Sequence, residues 1–298
     1  MKVILAPSVD IAASIPAAIT VEAEYGATVI EGSRYTAAHH QPAGSPFAGR
    51  HVVEGGRPSP CNDTNIPQAL VGDTLLTSHL DLDSLGGLLR AIKGQDHPIF
   101  SEVSFWNLAE FVDVTGPHKL HGSGANEVDL RRLYAWWAWA KTGLPRFPHD
   151  EATDVTDIVE NVCAVLTAIL EGDSIFLSFG DTFRSALDDL NVRTFVRIEG
   201  DVIVRKAVEA GDFCNHLYHT PTGESARAVA SLNTATGSVT ISLQDPDSET
   251  VSCRELLQKL WGMDAGGHKG IGGSPRGEVY GTAHLEQIVA ELVRNLKA

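Results

Sequence analysis

The stretch Asp73-Thr-Leu-Leu-Thr-Ser-His79-Leu-Asp81-Leu-Asp83-Ser84-Leu-Gly-Gly-Leu-Leu-Arg-Ala-Ile-Lys93 decides the fold class, because an apolar strand-like run passes into a helical pattern from Leu88 to Lys93. His79, Asp81 and Asp83 occupy every second position, and on a strand positions i, i+2 and i+4 share one face. Neighbouring carboxylates repel one another and are costly to hold together unless a cation neutralises them. A divalent ion with oxygen and imidazole ligands, Mn²⁺ or Mg²⁺, suits that set. The same residues also fit the polar face of a half-exposed strand, with Asp83 or Ser84 as the N-cap of the following helix.

Working outward, residues 1–33 read as strand, helix, strand: an apolar start at Val3 to Ala6, an Ala- and Ile-rich segment at Ile11 to Ala23, then Ala27-Thr-Val-Ile30. From His39 to Pro67 the chain is rich in Gly, Pro, Asn and Asp and carries His39, His40 and His51. A loop of roughly 30 residues is uncommon inside a compact domain and points to function or disorder. Glu127 to Lys141 and Asp154 to Leu170 read as helices. The pattern then turns to strands at Thr194–Ile198, Asp201–Arg205, Ala228–Ser231 and Ser238–Ser242, with helices at Cys253–Leu260 and His284–Leu296. A domain boundary falls between residues 175 and 195.

Composition narrows the function. A chain of 298 residues accommodates two domains, and a net charge of −15 argues against an extended surface for long nucleic acid, leaving a small phosphorylated ligand. Four cysteines without CxxC spacing fit a reducing compartment. No apolar run approaches the roughly 20 residues that span a bilayer, and Val3–Ala6 reads as a strand rather than a signal peptide, so a cytoplasmic protein without a membrane partner is expected.

Thr77-Ser-His-Leu-Asp-Leu-Asp-Ser-Leu-Gly86 resembles the first motif of the DHH phosphoesterases, in which His-x-Asp-x-Asp supplies ligands to a pair of metal ions. Leu260-Trp-Gly-Met-Asp-Ala-Gly266-Gly267-His268-Lys269-Gly270-Ile-Gly272-Gly273 is similar to the Gly-Gly-His loop of the DHH-associated substrate domain. The resemblance implies an α/β chain of two lobes. The first, residues 1–185, holds metal on a mostly parallel sheet flanked by helices; the second, residues 192–298, is a smaller α/β domain with a mixed sheet that binds substrate.

It further implies a metal-dependent phosphoesterase that uses one or two divalent ions, Mn²⁺ before Mg²⁺, to activate water against a small phosphate ester or short oligonucleotide. Metal ligands would come from His39, His40, His79, Asp81, Asp83 and Asp113, with Asp81, Asp83 and His40 catalytic. Gly266, Gly267, His268, Lys269 and Arg276 would bind substrate, their amides and cationic groups approaching an anion. Asp113 sits where an apolar run, Leu108–Val114, meets the Gly116-Pro117 turn; there it supplies a second-strand ligand or caps the turn, with His118 and His121 close by.

The family's namesake Asp-His-His triplet is absent, and the chain's His-His pair is Ala38-His39-His40, upstream of the first motif. A permuted strand order, a site with one metal lost, and a surface loop pair all account for it. A catalytically degenerate nucleotide- or metal-binding regulator is therefore the alternative. The sequence is also compatible with a homodimer. Asp150, Asp154 and Asp157 lie near the start of the helix at Asp154–Leu170, where acidic residues complement its dipole, with His149 beside them.

Overall fold

The computed structural model describes residues 1–25, 28–39, 46, 58–145, 147–148, 150–263, 265–267, 269–275 and 278–296. The chain divides into two compact units, Met1–Arg184 and Ser185–Ala298.

The first unit begins with β1 (Lys2–Leu5), the short helix α1 (Val9–Ala13), β2 (Ile19–Val21), a small hairpin of β3 (Glu24–Tyr25) and β4 (Thr28–Val29), and β5 (Tyr35–Ala37). It continues through β6 (Thr74–Thr77), α2 (Leu82–Lys93), α3 (Val103–Thr115), α4 (Glu127–Gly143), β7 (Thr153–Asp154), α5 (Thr156–Leu170) and α6 (Ser174–Arg193), the division between units falling within α6. The main sheet has the order β5-β2-β6-β1-β7, with β7 antiparallel and the other four strands parallel. The second parallel strand is thus Ile19-Thr-Val21, inside the segment expected to be helical. Pro16 and three successive β-branched residues end the helix early and favour extended backbone.

Alternation along the strands fills both faces of this sheet. Val3, Leu5, Ile19, Val21 and Leu75 join the larger core with α2 to α5, whereas Ala6 and Leu76 face a small alanine-rich cluster with Ala12 of α1. Burying each of the larger side chains contributes roughly 1.5–3 kcal/mol.

Helix α2 approaches its surroundings closely because of Gly86 and Gly87. A Cβ at Gly86 would lie 2.5 Å from Cys61 Cβ and 2.8 Å from Trp106, and one at Gly87 would lie 2.6 Å from Pro60 Cβ. These two glycines seat the short 3₁₀ turn Pro60–Asn62 on the helix. Gly86→Ala is expected to cost about 1–3 kcal/mol by overpacking, read as a lower midpoint in thermal unfolding of the metal-free protein.

The second unit carries β8 (Phe195–Glu199), β9 (Val202–Ala207), β10 (Ala228–Asn233), β11 (Ser238–Leu243), α7 (Cys253–Trp261), β12 (Gly266–Gly267), β13 (Ile271–Gly273) and α8 (Thr282–Leu296). Its sheet runs β12-β13-β11-β10-β9-β8 and is mixed: β9 and β10 are parallel, the other pairs antiparallel. Val202, Val204, Ala230 and Ile241 pack on one face with Leu257 of α7 and Leu285, Ile288 and Leu292 of α8. The two-part α/β architecture, parallel-rich then mixed, is therefore the one expected. Among the described residues, no single helix is long and apolar enough to cross a membrane.

Candidate metal centre

Three neighbouring parallel strands, β5, β2 and β6, end side by side, and residues just beyond their carboxyl ends are His39, Glu22 and His79. Crevices at the carboxyl ends of parallel strands are where α/β sheets gather ligands. Asp81 and Asp83 enter from the start of α2, and Asp113 from the last turns of α3.

This corrects two expectations. His79, Asp81 and Asp83 do not share a strand face: β6 stops at Thr77, Asp81 is the N-cap of α2, and Asp83 lies in its first turn. Ser84 stops the strand by closing a capping box with Asp81, in which each residue's side chain accepts the other's backbone N–H. Asp113 lies on a helix rather than a second strand.

The side chains converge on two imidazole nitrogens. His39 Nε2 is 2.7 Å from Glu22 Oε1, 3.1 Å from Asp113 Oδ2 and 3.5 Å from Asp83 Oδ2. His79 Nε2 is 3.1 Å from Glu22 Oε2 and 3.2 Å from Asp81 Oδ2. Glu22 thus gives one carboxylate oxygen to each group. Within Glu22–His39–Asp83, and likewise within Glu22–His79–Asp81, one donor atom per residue lies within 4.8 Å of the others. The first group is buried, while His79 and Asp81 of the second keep 47% and 46% of their side chains exposed, which gives this end of the site access to solvent.

Each aspartate of α2 divides its oxygens between support and site. Asp81 Oδ1 accepts the Ser84 N–H at 2.8 Å and Oδ2 faces His79; Asp83 Oδ1 accepts the Cys61 N–H at 2.9 Å and Oδ2 faces His39. Glu22 is held differently. It is the one non-glycine residue with positive φ among those described, at 49°, a conformation that costs an L-residue free energy and is found where the surroundings impose it. Its N–H donates to Ala37 O at 2.8 Å, and its carbonyl accepts the Ser78 hydroxyl.

The electrostatics are those of a place built for positive charge. Burial alone would lower the pKa of His39, but Asp113, Glu22 and Asp83 outweigh it and push it up to about 11. His79 behaves likewise: desolvation opposes and Asp81 and Glu22 prevail, holding it well above the usual imidazole range. Asp81 is held low, the His79 charge overcoming desolvation. The Asp83 carboxyl is driven well above the usual range by burial and by the Glu22 and Asp113 charges, against the opposing effect of His39. Its Oδ2 is buried and, among the described residues, accepts no hydrogen bond. Four carboxylates and two imidazoles in so small a volume, with a buried oxygen that lacks a donor among the described residues, fit a divalent cation.

A pH dependence follows. His39, raised above its unfolded value of roughly 6.5, stabilises the metal-free fold fully below that pH and loses the contribution as pH rises through about 11. Asp83, also raised, contributes below its unfolded value and loses that contribution as pH rises through its folded one. A cation must therefore displace protons, and Mn²⁺ affinity is expected to rise at least about tenfold between about pH 6.5 and 8.5. Titration calorimetry in two buffers of different ionisation enthalpy counts the protons released.

Of the residues singled out by sequence, the structure gathers His39, His79, Asp81, Asp83 and Asp113. It adds Glu22, which sequence reasoning passed over; the available signal was an acid closing the β-branched run Ile19-Thr-Val21, hidden when that run was read as helix. His40, His51, His149, His268 and Arg276, and the side chains of His118 and His121, lie outside the described residues. In the second unit, Gly266 and Gly267 form edge strand β12, paired with Gly273 and Gly272, and Lys269 is exposed in the connecting turn. Gly272 also has a packing role, since a Cβ there would lie 2.6 Å from Leu257 Cδ1.

No protein-family model matches the chain, and no curated protein matches it. Among solved structures it is similar to the pGpG-specific phosphodiesterase PggH from Vibrio cholerae, at 13% identity and a TM-score of 0.43, over 77% of this chain and 81% of that one.

Proposed function

We propose that the protein is a metal-dependent phosphoesterase that hydrolyses a small phosphate ester or short oligonucleotide. The observation that carries this reading is Glu22 reaching both His39 and His79, so that one carboxylate joins two adjoining groups of ligand atoms. The resemblance of Thr77–Gly86 to the DHH motif supplies the reaction class.

In this reading Glu22, His39, Asp83 and Asp113 hold one divalent ion and Glu22, His79 and Asp81 a second. Divalent ions held there would acidify a water and neutralise charge developing on the phosphoryl group. The protein's own part is placement. The Asp81 capping box and the Cys61 N–H to Asp83 keep the α2 carboxylates in position, and buried Glu22 and His39 keep one side of the site dry. The half-exposed His79–Asp81 end is where a phosphate enters. His40 stands next to His39 in the chain and is assigned to completing this set. Gly266, Gly267, His268, Lys269 and Arg276 are assigned to binding the substrate's distal part, so that His268→Ala should raise KM more than it lowers kcat.

The test is release of phosphate or nucleotide from a panel of small phosphoesters with added Mn²⁺, comparing the native chain with Asp81→Ala. Turnover that requires both Mn²⁺ and Asp81 is the expected result. Mn²⁺ bound through Asp81 with no member of the panel hydrolysed would replace this reading with that of a metal- or nucleotide-binding regulator.

A further inference from the structure

Both site imidazoles have a serine hydroxyl at the ring nitrogen that faces away from the carboxylates. Ser78 Oγ is 2.8 Å from His79 Nδ1, and Ser59 Oγ is 3.1 Å from His39 Nδ1. The hydrogen-bond inventory favours one direction for each contact. A serine hydroxyl has one proton to give, and a backbone carbonyl can only accept. Ser78 gives its proton to the Glu22 carbonyl, so toward His79 it acts as acceptor, and His79 Nδ1 carries hydrogen whether or not Nε2 does. Ser59 has the same arrangement, its hydroxyl directed to Asp113 Oδ2 at 3.4 Å while it accepts from His39 Nδ1.

We infer that Ser59 and Ser78 are positioning residues that keep Nδ1 of His39 and His79 protonated and so reserve Nε2 of both rings for the cation. This rests on the metal-centre reading above and adds to it residues that touch neither the ion nor the substrate. The arrangement at Ser78 is also cooperative with the strained residue. The carbonyl that takes the Ser78 proton belongs to Glu22, the residue with a φ of 49° whose carboxylate spans the two rings. Glu22 therefore supplies a ligand and orients a second one through Ser78.

Each serine is itself fixed. The Ser59 N–H donates to Glu110 Oε1 at 3.2 Å, and Ser59 is fully buried. Beside Ser78, the His79 carbonyl accepts the Thr77 and Ser84 hydroxyls at 2.9 and 3.1 Å, which holds the backbone from which the ring projects. Outer partners of metal-bound histidines orient the ring and select the tautomer, and losing one costs typically 10–100-fold in metal affinity.

The experiment uses the full chain in native, Ser59→Ala, Ser78→Ala and Ser78→Thr forms. Mn²⁺ affinity is measured by titration calorimetry, and imidazole ¹⁵N spectra are recorded with and without Zn²⁺ as a diamagnetic substitute. Affinity should fall roughly 10–100-fold in each alanine variant, with Ser78→Thr restoring it. In the native Zn²⁺ form both rings should be ligated through Nε2 and protonated at Nδ1, and each alanine variant should lose the slowly exchanging Nδ1–H of one ring only. Thermal melts of the metal-free variants separate a ring effect from misfolding. Unchanged affinity with unchanged ring spectra, or a native ring ligated through Nδ1, overturns the inference. Failure of the native protein to bind Mn²⁺ would overturn the metal-centre reading instead. The serine assignment is then decided by the metal-free spectra, in which slow exchange of the Nδ1–H of each ring must still depend on its own serine.

Discussion

Glu22→Ala is expected to remove divalent-metal binding from both halves of the site at once, with Mn²⁺ affinity at least about 100-fold weaker, twice the usual logarithmic cost of a supporting residue. Phosphoester turnover should fall about 1,000-fold or more, equivalent to about 4 kcal/mol of barrier. Its carboxylate faces His39 through one oxygen and His79 through the other, and among the described residues it is the one shared by both groups of ligand atoms. Asp81→Ala should act on the His79 group and Asp113→Ala on the His39 group.

The sign of the stability effect is opposite. At a φ of 49° glycine is unstrained, and removing a buried carboxylate lets the Asp83 carboxyl relax toward its ordinary range. Glu22→Gly should leave the metal-free protein as stable as the native one or more so, while abolishing the stabilisation that Mn²⁺ gives the native chain. Calorimetry of both proteins with and without Mn²⁺ reads both effects. Native metal affinity in Glu22→Ala would reduce the Glu22 contacts to a structural network.

The largest stability effect is expected in the second unit, at Arg205 in β9. This guanidinium is fully buried, and no carboxylate pairs with it among the described residues. Its N–H groups donate to the carbonyls of Leu217, Asn191 and His219, to Thr194 Oγ1 and to Asn191 Oδ1. It thereby ties the end of α6 and the start of β8 to the segment connecting β9 with β10. Arg205→Met fills much of the volume but leaves these acceptors without donors. The expected cost is about 3–5 kcal/mol, as when one member of a buried polar set is removed. Amide hydrogen exchange in β8 to β10 should then accelerate more than about 100-fold under conditions where opening is limiting. Exchange rates within tenfold of native would show that water or rearrangement satisfies the acceptors. Nothing local marks Arg205 out, because Asp201–Arg205 reads simply as a strand and the acceptors of its guanidinium lie on segments 11 to 14 residues away in the chain.

Local signals match the structure at several elements and miss it at Leu108–Val114, an apolar run that belongs to helix α3. The apolar run before His79 became β6, the segments around Glu127–Lys141 and Asp154–Leu170 became α4 and α5, and the alternating runs from Thr194 to Ser242 became β8 to β11. The N-terminal segment failed because two local signals conflicted: the alanines and isoleucines of Ile11–Ala23 carry helical spacing, while Ile19-Thr-Val21 carries β-branching. Parallel pairing on both sides, with β5 and β6, decided for the strand.

The sequence by itself determined that His79, Asp81 and Asp83 stand together where an apolar strand passes into a helix, because that change of pattern is local; it placed the helix start two or three residues late, at Asp83 or Ser84 rather than Asp81. Only the tertiary structure decided which distant residues join them. Glu22, His39 and Asp113 reach the site because β2 lies between β5 and β6 in the sheet and α3 packs beside the Pro60–Asn62 turn. Those adjacencies come from burying two sheet faces at once, a condition set by the whole core rather than by any one stretch of chain.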